Sequence, residues 1–376
     1  MNKTKRGKNP SKTTVCKLWL MAGGRCQFPG CNRNLMQDDI TWQQFNGANI
    51  AHIVASSPDG PRGSEESYDL SDKLENLMLL CPTHHKEVDE DVEQYTVEHL
   101  KEIKRLQEQN VQELLEGMNY PESEIIVLES PIKGKKNVHV DKMQAVAALR
   151  SIQKKPASAY PQIIQIEGYG DYPTEQYWNM AVTKLTADVS GLHNRLKYAP
   201  ELMLSVFPLA PIPLIAKLGE LLGDKRSIDV FQKTREPDTW CWINQGSTNR
   251  FEVSKQIRAE SPNKDEVAIV LSLTADVAEK RVIDAADPTV IYHIWAERTG
   301  VDCISSTEDL KDFWQQYQTV CDRIKNEDHC NNASVFPAIP VSAAFEIGRR
   351  HMPGAHPVLN IYEECNGFFK AVTIGG

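Results

Sequence analysis

The chain has 376 residues, 41% of them hydrophobic and 25% charged, with a formal net charge of −9; this is the make-up of a folded chain of two or three domains, which excludes disordered and fibrous classes. No apolar run reaches the roughly 18 residues of a membrane span, and no apolar stretch follows the basic start Met1-Asn-Lys-Thr-Lys-Arg6, so no membrane and no secretory leader are expected and the expected location is cytoplasmic. Nine cysteines, an odd number, point to reduced thiols or metal ligands in place of a disulfide framework.

Net acidity weakens general attraction to a polyanion, but the charge is uneven. No acidic residue precedes Asp38, while Lys3, Lys5, Arg6, Lys8, Lys12, Lys17, Arg25 and Arg33 all do, a local cationic arm. A helix is predicted from Ser11 to Ala22, with Ser11 as N-cap and Gly23-Gly24 ending it. A knuckle at Cys26-Gln-Phe-Pro-Gly-Cys31, a strand from Ala48 to Val54, and a polar loop holding Arg62 follow. The apolar run Leu74 to Leu80 enters Cys81-Pro-Thr-His84, and a charged amphipathic helix covers Val97 to Leu115. Gly117 closes a first domain at residues 1–118.

Residues 119–164 read as a connector with structure of its own: a strand at Ile125 to Leu128, a turn at Gly134-Lys-Lys136, a strand at Val138-His-Val140 and a helix from Asp141 to Gln153. A third domain, 165–376, opens with a strand near Pro161 to Glu167 and a long helix from Thr174 to Leu196. It contains an internal repeat: Ser205-Val-Phe-Pro208 recurs as Ser334-Val-Phe-Pro337, and the same offset maps Pro211 onto Pro340 and Gly219 onto Gly348. Each copy reads as strand, Pro-bounded turn, helix and second strand (Ile228 to Phe231, Val358 to Tyr362). With apolar strands at Val267 to Leu273 and Thr289 to Trp295 and a helix from Thr307 to Lys325, the pattern predicts two similar α/β halves with largely parallel, doubly covered sheets. Ligands of such folds sit beyond the carboxyl ends of the strands. That directs attention to Gln232, Lys233, Arg235 and Thr274.

Two short chelating pairs remote in sequence, Cys26 with Cys31 and Cys81 with His84, match the ligand types and number of a structural zinc site. His52, at the end of a strand, is placed to take a proton from water attacking phosphorus, and Asn76 and His85 complete the order His, Asn, His.

These residues resemble the HNH endonucleases of the ββα-metal class: Cys26-x4-Cys31, His52-Ile53, Asn76-Leu77 and Cys81-x2-His84-His85, with Asp89 in the "HHxxxD" place. The resemblance covers residues 14 to 105. It implies His52 as general base, His85 as ligand of a catalytic divalent ion such as Mg²⁺, and Asn76 as a further ligand or as the residue orienting the His52 loop. Many family members carry Asp or His where this chain has Ala51. Lys12, Lys17, Arg25 and Arg62 are the expected DNA contacts.

Residues 165 to 376 resemble the SAVED domain, a fusion of two CARF-like halves, through the Ser-Val-Phe-Pro units, Leu218-Gly219, Ile347-Gly-Arg-Arg350, Val230-Phe-Gln-Lys-Thr-Arg235 and Trp240-Cys-Trp242. The two resemblances together imply an antiphage effector of cyclic-oligonucleotide signalling (CBASS). In that reading a cyclic di- or trinucleotide binds the C-terminal domain, drives assembly of several chains and licenses cleavage of double-stranded DNA. Lys233 and Arg235 would hold phosphate while Trp240 and Trp242 stack on bases, although alternate spacing puts both tryptophans on one face, where core packing competes. Two other readings fit the same residues: a restriction-type nuclease whose C-terminal domain reads modified DNA, and a zinc-stabilised nucleic-acid binding module without catalysis.

Overall fold

A computed structural model describes residues 7–38, 40–132, 139–167, 172–258 and 263–376, with the backbone alone at 263–265. Lys3, Lys5 and Arg6, the turn at 134–136 and Val138 lie outside the described residues. The chain divides into two compact units, Met1–Asn119 and Tyr120–Gly376.

In the first unit, α1 (Lys12–Met21) starts where Ser11 Oγ accepts the Thr14 N–H at 3.1 Å, and it stops at Gly23 and Gly24, both left-handed (φ 63° and 67°). β1 (Asn49–His52) pairs antiparallel with β2 (Leu77–Leu80), the short helix α2 (Ser67–Leu70) and a 3-10 turn (Leu74–Asn76) lying between them. α3 (Pro82–Glu90) follows with Pro at its first position, where a missing N–H costs nothing, and α4 (Val97–Glu116) begins at a Thr96 cap. All four residues of β2 are buried, and with Leu18, Leu35, Ala51, Ile53, Val88, Leu100 and Ile103 they form one apolar cluster.

The second unit is built on two sheets. The first holds β3 (Glu122–Glu129), β4 (Lys155–Pro156), β5 (Gln162–Gln165), β6 (Met203–Leu209) and β7 (Ile228–Val230), every pairing parallel, with β3 between β6 and the successive edge strands β4 and β5. Helices α5 (Lys142–Ser151), α6 (Glu175–Leu196) and α7 (Ile212–Leu222) cross over between these strands. The second sheet has the order β13-β12-β11-β9-β10-β8, from β8 (Phe251–Ile257), β9 (Asn263–Ser272), β10 (Pro288–Ala296), β11 (Asn332–Ala338), β12 (Val358–Glu364) and β13 (Phe368–Ile374). Its four inner strands are parallel and its two flanking strands antiparallel. α8 (Glu279–Ala286), α9 (Thr307–Asn326) and α10 (Val341–Arg349) belong to this half.

Residues 119–164 are therefore not a connector. β3 is an inner strand of the first sheet, because Ile125, Ile126, Val127 and Leu128 are all buried and must be covered on both faces. His139 lies in no strand and pairs with Glu129 at 3.1 Å. The repeat is structural: Val206 pairs with Val230 in one half and Val335 with Ile361 in the other.

The halves meet where α7 crosses α10. A Cβ added to Gly219 would lie 2.1 Å from the Phe345 carbonyl oxygen, and one added to Gly348 would lie 1.8 Å from that of Ala216. Only glycine permits such backbone contact. Gly348→Ala is therefore expected to cost more than about 3 kcal/mol, as severe overpacking of a core does, or to leave the unit unfolded. Gly191→Ala on α6, where an added Cβ meets nothing within 4 Å, should instead stabilise by about 0.5–1 kcal/mol through helix propensity. Denaturant titration of both variants checks the contrast.

Candidate functional site

Two sites emerge, one in each unit. In the first, the knuckle turns on the Cys31 N–H donating to Phe28 C=O at 3.1 Å, with Gly30 left-handed at φ 75°. Cys81 is the N-cap residue of α3 and His84 lies one turn on. The Cys81 and Cys26 sulfurs stand 3.2 and 3.6 Å from His84 Nδ1, and the Cys81 N–H points at Cys26 Sγ at 3.3 Å. Phe28 stacks flat on the His84 ring at 4.0 Å and fixes its plane.

The ligand atoms of Cys26, Cys31, Cys81 and His84 all lie within 4.8 Å of one another. Tetrahedral zinc with bonds of about 2.0–2.3 Å requires this donor set at nearly this spacing. Burial pushes the Cys26 thiol up to about 12, so its thiolate needs a cation beside it, as zinc supplies. Among the described residues no other group of three or more His, Cys, Asp or Glu ligand atoms is gathered in this way.

His52, half-buried at the end of β1, has Nε2 3.1 Å from the Ser71 carbonyl. Asn76 is 2% exposed, and its amide is engaged by the chain just beyond His52: Oδ1 accepts the Val54 N–H at 2.8 Å, while Nδ2 donates to Val54 C=O at 2.9 Å and Leu70 C=O at 3.2 Å. That geometry fits a residue orienting the His52 loop and does not fit the alternative role of Asn76 as a metal ligand. Ala51 points away from His52 into the apolar cluster, 3% exposed. His85 is a third exposed, with Nε2 3.6 Å from Asp89 Oδ2.

Arg62 corrects the sequence reading. Its side chain is 5% exposed and its donors are spent on Ile53 C=O (2.8 Å), Val88 C=O (2.5 Å) and Asp89 (2.9 Å). It clamps the loop to α3 and is shut away from a phosphate by burial. Lys12 and Lys17 stand exposed on α1, and Arg25 is exposed with one bond to Asn32 C=O at 3.3 Å.

In the second unit, Gln232, Lys233, Arg235 and Thr274 line one cleft of about 500 Å³ at the carboxyl ends of both sheets. Its floor is the pair of Pro-initiated turns entering α7 and α10, at 209–212 and 337–341. Gln232 joins the halves: its Oε1 accepts the backbone N–H (3.1 Å) and hydroxyl (2.8 Å) of Ser342 in the first turn of α10. Lys233 bonds Gln144 (2.8 Å) and Asp238 (2.5 Å), whereas Arg235 is exposed with no recorded partner among the described residues.

The tryptophans are not in this cleft. Trp240 is 1% exposed, packed edge-on to Phe207 at 5.4 Å, because the apolar layer between β6 and α5 claims it. Trp242 borders a separate cavity with Lys311, Arg349 and Arg350. Sequence reasoning missed Tyr172, Asp276, Arg281, Glu363 and Glu364, which also line the cleft. The repeat held the signal for two of them: the register equating Val230 with Ile361 places Glu363 opposite Gln232 and Glu364 opposite Lys233.

A family model described as "SMODS-associated and fused to various effectors sensor domain" (SAVED) matches residues 185–374. No curated protein sequence matches the chain. Among solved structures it is similar to an Acinetobacter baumannii Cap4 SAVED/CARF-domain containing receptor with the cyclic trinucleotide 3'3'3'-cAAA, at 11% identity and TM-score 0.45, covering 82% of this chain and 66% of that one. A Moraxella osloensis Cap4 SAVED/CARF-domain containing receptor follows at 11% identity and TM-score 0.43, covering 77% and 60%. The chain thus spans just under two thirds of the length of these relatives.

Protein purified without chelators is expected to carry one zinc by elemental analysis. Cys81→Ser should lose the metal and with it a stabilisation on the order of several kcal/mol, while Cys16→Ser, exposed on α1, should change neither zinc content nor melting midpoint.

Proposed function

The chain belongs to the family of SAVED sensor domains, and from that premise we propose that it is a two-part effector of antiphage signalling. The second unit binds a cyclic di- or trinucleotide and the first is a DNA endonuclease that acts once that ligand is bound. The observation that carries the sensor half is the cleft itself, set at the carboxyl ends of two duplicated sheets, with Arg235 in it and unpaired among the described residues. A phosphate on Arg235 gains a charge-assisted contact without breaking an existing ion pair. Assembly of several chains would then gather the cationic N-terminal arms of several nuclease units on one duplex, raising effective concentration where net charge is unfavourable.

Support for the nuclease half is the His52 loop, anchored by Asn76 beside a preformed zinc-ligand set. His52 takes the proton from a water attacking phosphorus, and Asn76 holds the loop at the geometry this needs. His85 and Asp89, an accessible nitrogen and oxygen donor 3.6 Å apart, are the side chains that would hold a divalent ion such as Mg²⁺, which supplies charge stabilisation at the leaving oxygen. Lys12 and Lys17, exposed on α1, meet the duplex backbone.

One observation favours a second reading, a zinc-stabilised nucleic-acid binding module: with Ala51 in the core and the Asn76 amide engaged, the ligand set for a catalytic ion is thin. Plasmid incubated with the protein, Mg²⁺ and a panel of cyclic di- and trinucleotides decides. The expected result is cleavage with one class of cyclic nucleotide only, reduced about 10²-fold or more by His52→Ala with DNA binding retained. Equal cleavage with and without the panel overturns the switch; cleavage that follows DNA modification supports a restriction-type nuclease, and no cleavage under any condition supports the binding module. Arg235→Ala should weaken cyclic-nucleotide binding at least tenfold in calorimetry, leaving the melting midpoint of the unliganded protein unchanged.

A further inference from the structure

The second sheet carries a set of polar side chains that neither proposed activity uses. Ser254 of β8 is opposite His293 of β10, and Trp295, two residues on, is opposite Ser272 at the end of β9. All four share one sheet face. With Asp276 and Thr299 they border a depression of about 420 Å³.

Ser272 Oγ lies 2.8 Å from His293 Nε2 and accepts the Val277 N–H at 3.1 Å. No other acceptor for the hydroxyl proton is recorded among the described residues, so the O–H donates to Nε2 and the ring carries its proton on Nδ1. Burial holds His293 below its ordinary pKa, against the pull of the Asp276 and Glu279 carboxylates, so the imidazole is neutral near pH 7 and has a lone pair to accept a proton, with negative charge nearby to favour an imidazolium once formed. α8 begins at Glu279, with Ala278 as its N-cap residue and no side chain capping it.

We propose that Ser272 is a nucleophile with His293 as its general base, giving this chain a hydrolytic activity toward small carboxylic esters whose flat group lies on Trp295. The Ser272 oxygen bonds to the ester carbonyl carbon as its proton passes to His293 Nε2. The carbon–alkoxide bond breaks and the alcohol leaves with that proton. Water, deprotonated by the same nitrogen, then attacks the acyl-serine, releasing the carboxylic acid and restoring the serine.

The test is the full chain treated with diisopropyl fluorophosphate, which puts phosphorus on an activated serine and releases fluoride. One adduct per chain, mapped to Ser272 by peptide mass spectrometry, is expected. His293→Ala and His293→Gln, each verified as folded by circular dichroism, should slow labelling about 10²-fold or more, the usual weight of a general base. Absence of an adduct on Ser272 in the unsubstituted protein, labelling spread over exposed serines, or an unchanged rate in a folded His293 variant would each overturn the proposal. The plasmid assay reads none of these groups, so the two readings fail independently.

Discussion

The second unit depends on a single constraint, the backbone contact of α7 with α10 through Gly219 and Gly348. Each glycine meets the main chain of the opposite helix, so the two halves approach as closely as polypeptide allows. Because each helix begins at the carboxyl end of its half's strand, β6 or β11, this one crossing brings both sets of strand ends to a common cleft. Gln232 then couples the halves by polar contact: it leaves the first sheet and satisfies an N–H in the first turn of the second half's helix, a donor that would otherwise be an orphan. A ligand in the cleft would touch both halves at the point where they are tied.

Duplication sets the backbone there but not the charge. Lys233 and Glu364 occupy equivalent positions, as do Gln232 and Glu363. The cleft is two-fold in fold and polarised in chemistry, with Lys233 and Arg235 on one side and Asp276, Glu363 and Glu364, partly offset by Arg281, on the other. Carboxylates of this kind accept hydrogen bonds from amino and imino groups and repel phosphate, so the two sides make different demands on one ligand.

The first unit solves a different problem. Its apolar cluster is small for a segment with so long an irregular stretch between α1 and β1, and small cores need a staple. Cys26, Cys31, Cys81 and His84, their ligand atoms within 4.8 Å of one another, bring the knuckle against the start of α3, and Arg62 ties the later loop to the same helix. His52 sits on the strand end between these anchors, with Asn76 fixing the chain that leaves it. The buried polar groups here are spent on position, which is what a site on a loop-rich scaffold requires.

Much of this was legible in the sequence because it is local or repeated. The α1 cap, the glycines ending that helix, the two Cys/His pairs and the Pro-bounded repeat each show themselves within a few residues or by self-comparison, and the backbone brings each together. What depended on neighbours distant in the chain was decided only in three dimensions. Arg62 looks like a phosphate contact until Val88 and Asp89 fold against it, Trp240 like a stacking ring until β6 and α5 close over it, and Ser272 and His293 like unrelated strand residues until β9 and β10 pair in register. Residue type and spacing determine which groups a chain can offer. Burial and register, set by contacts across many residues, determine which of them remain free to act.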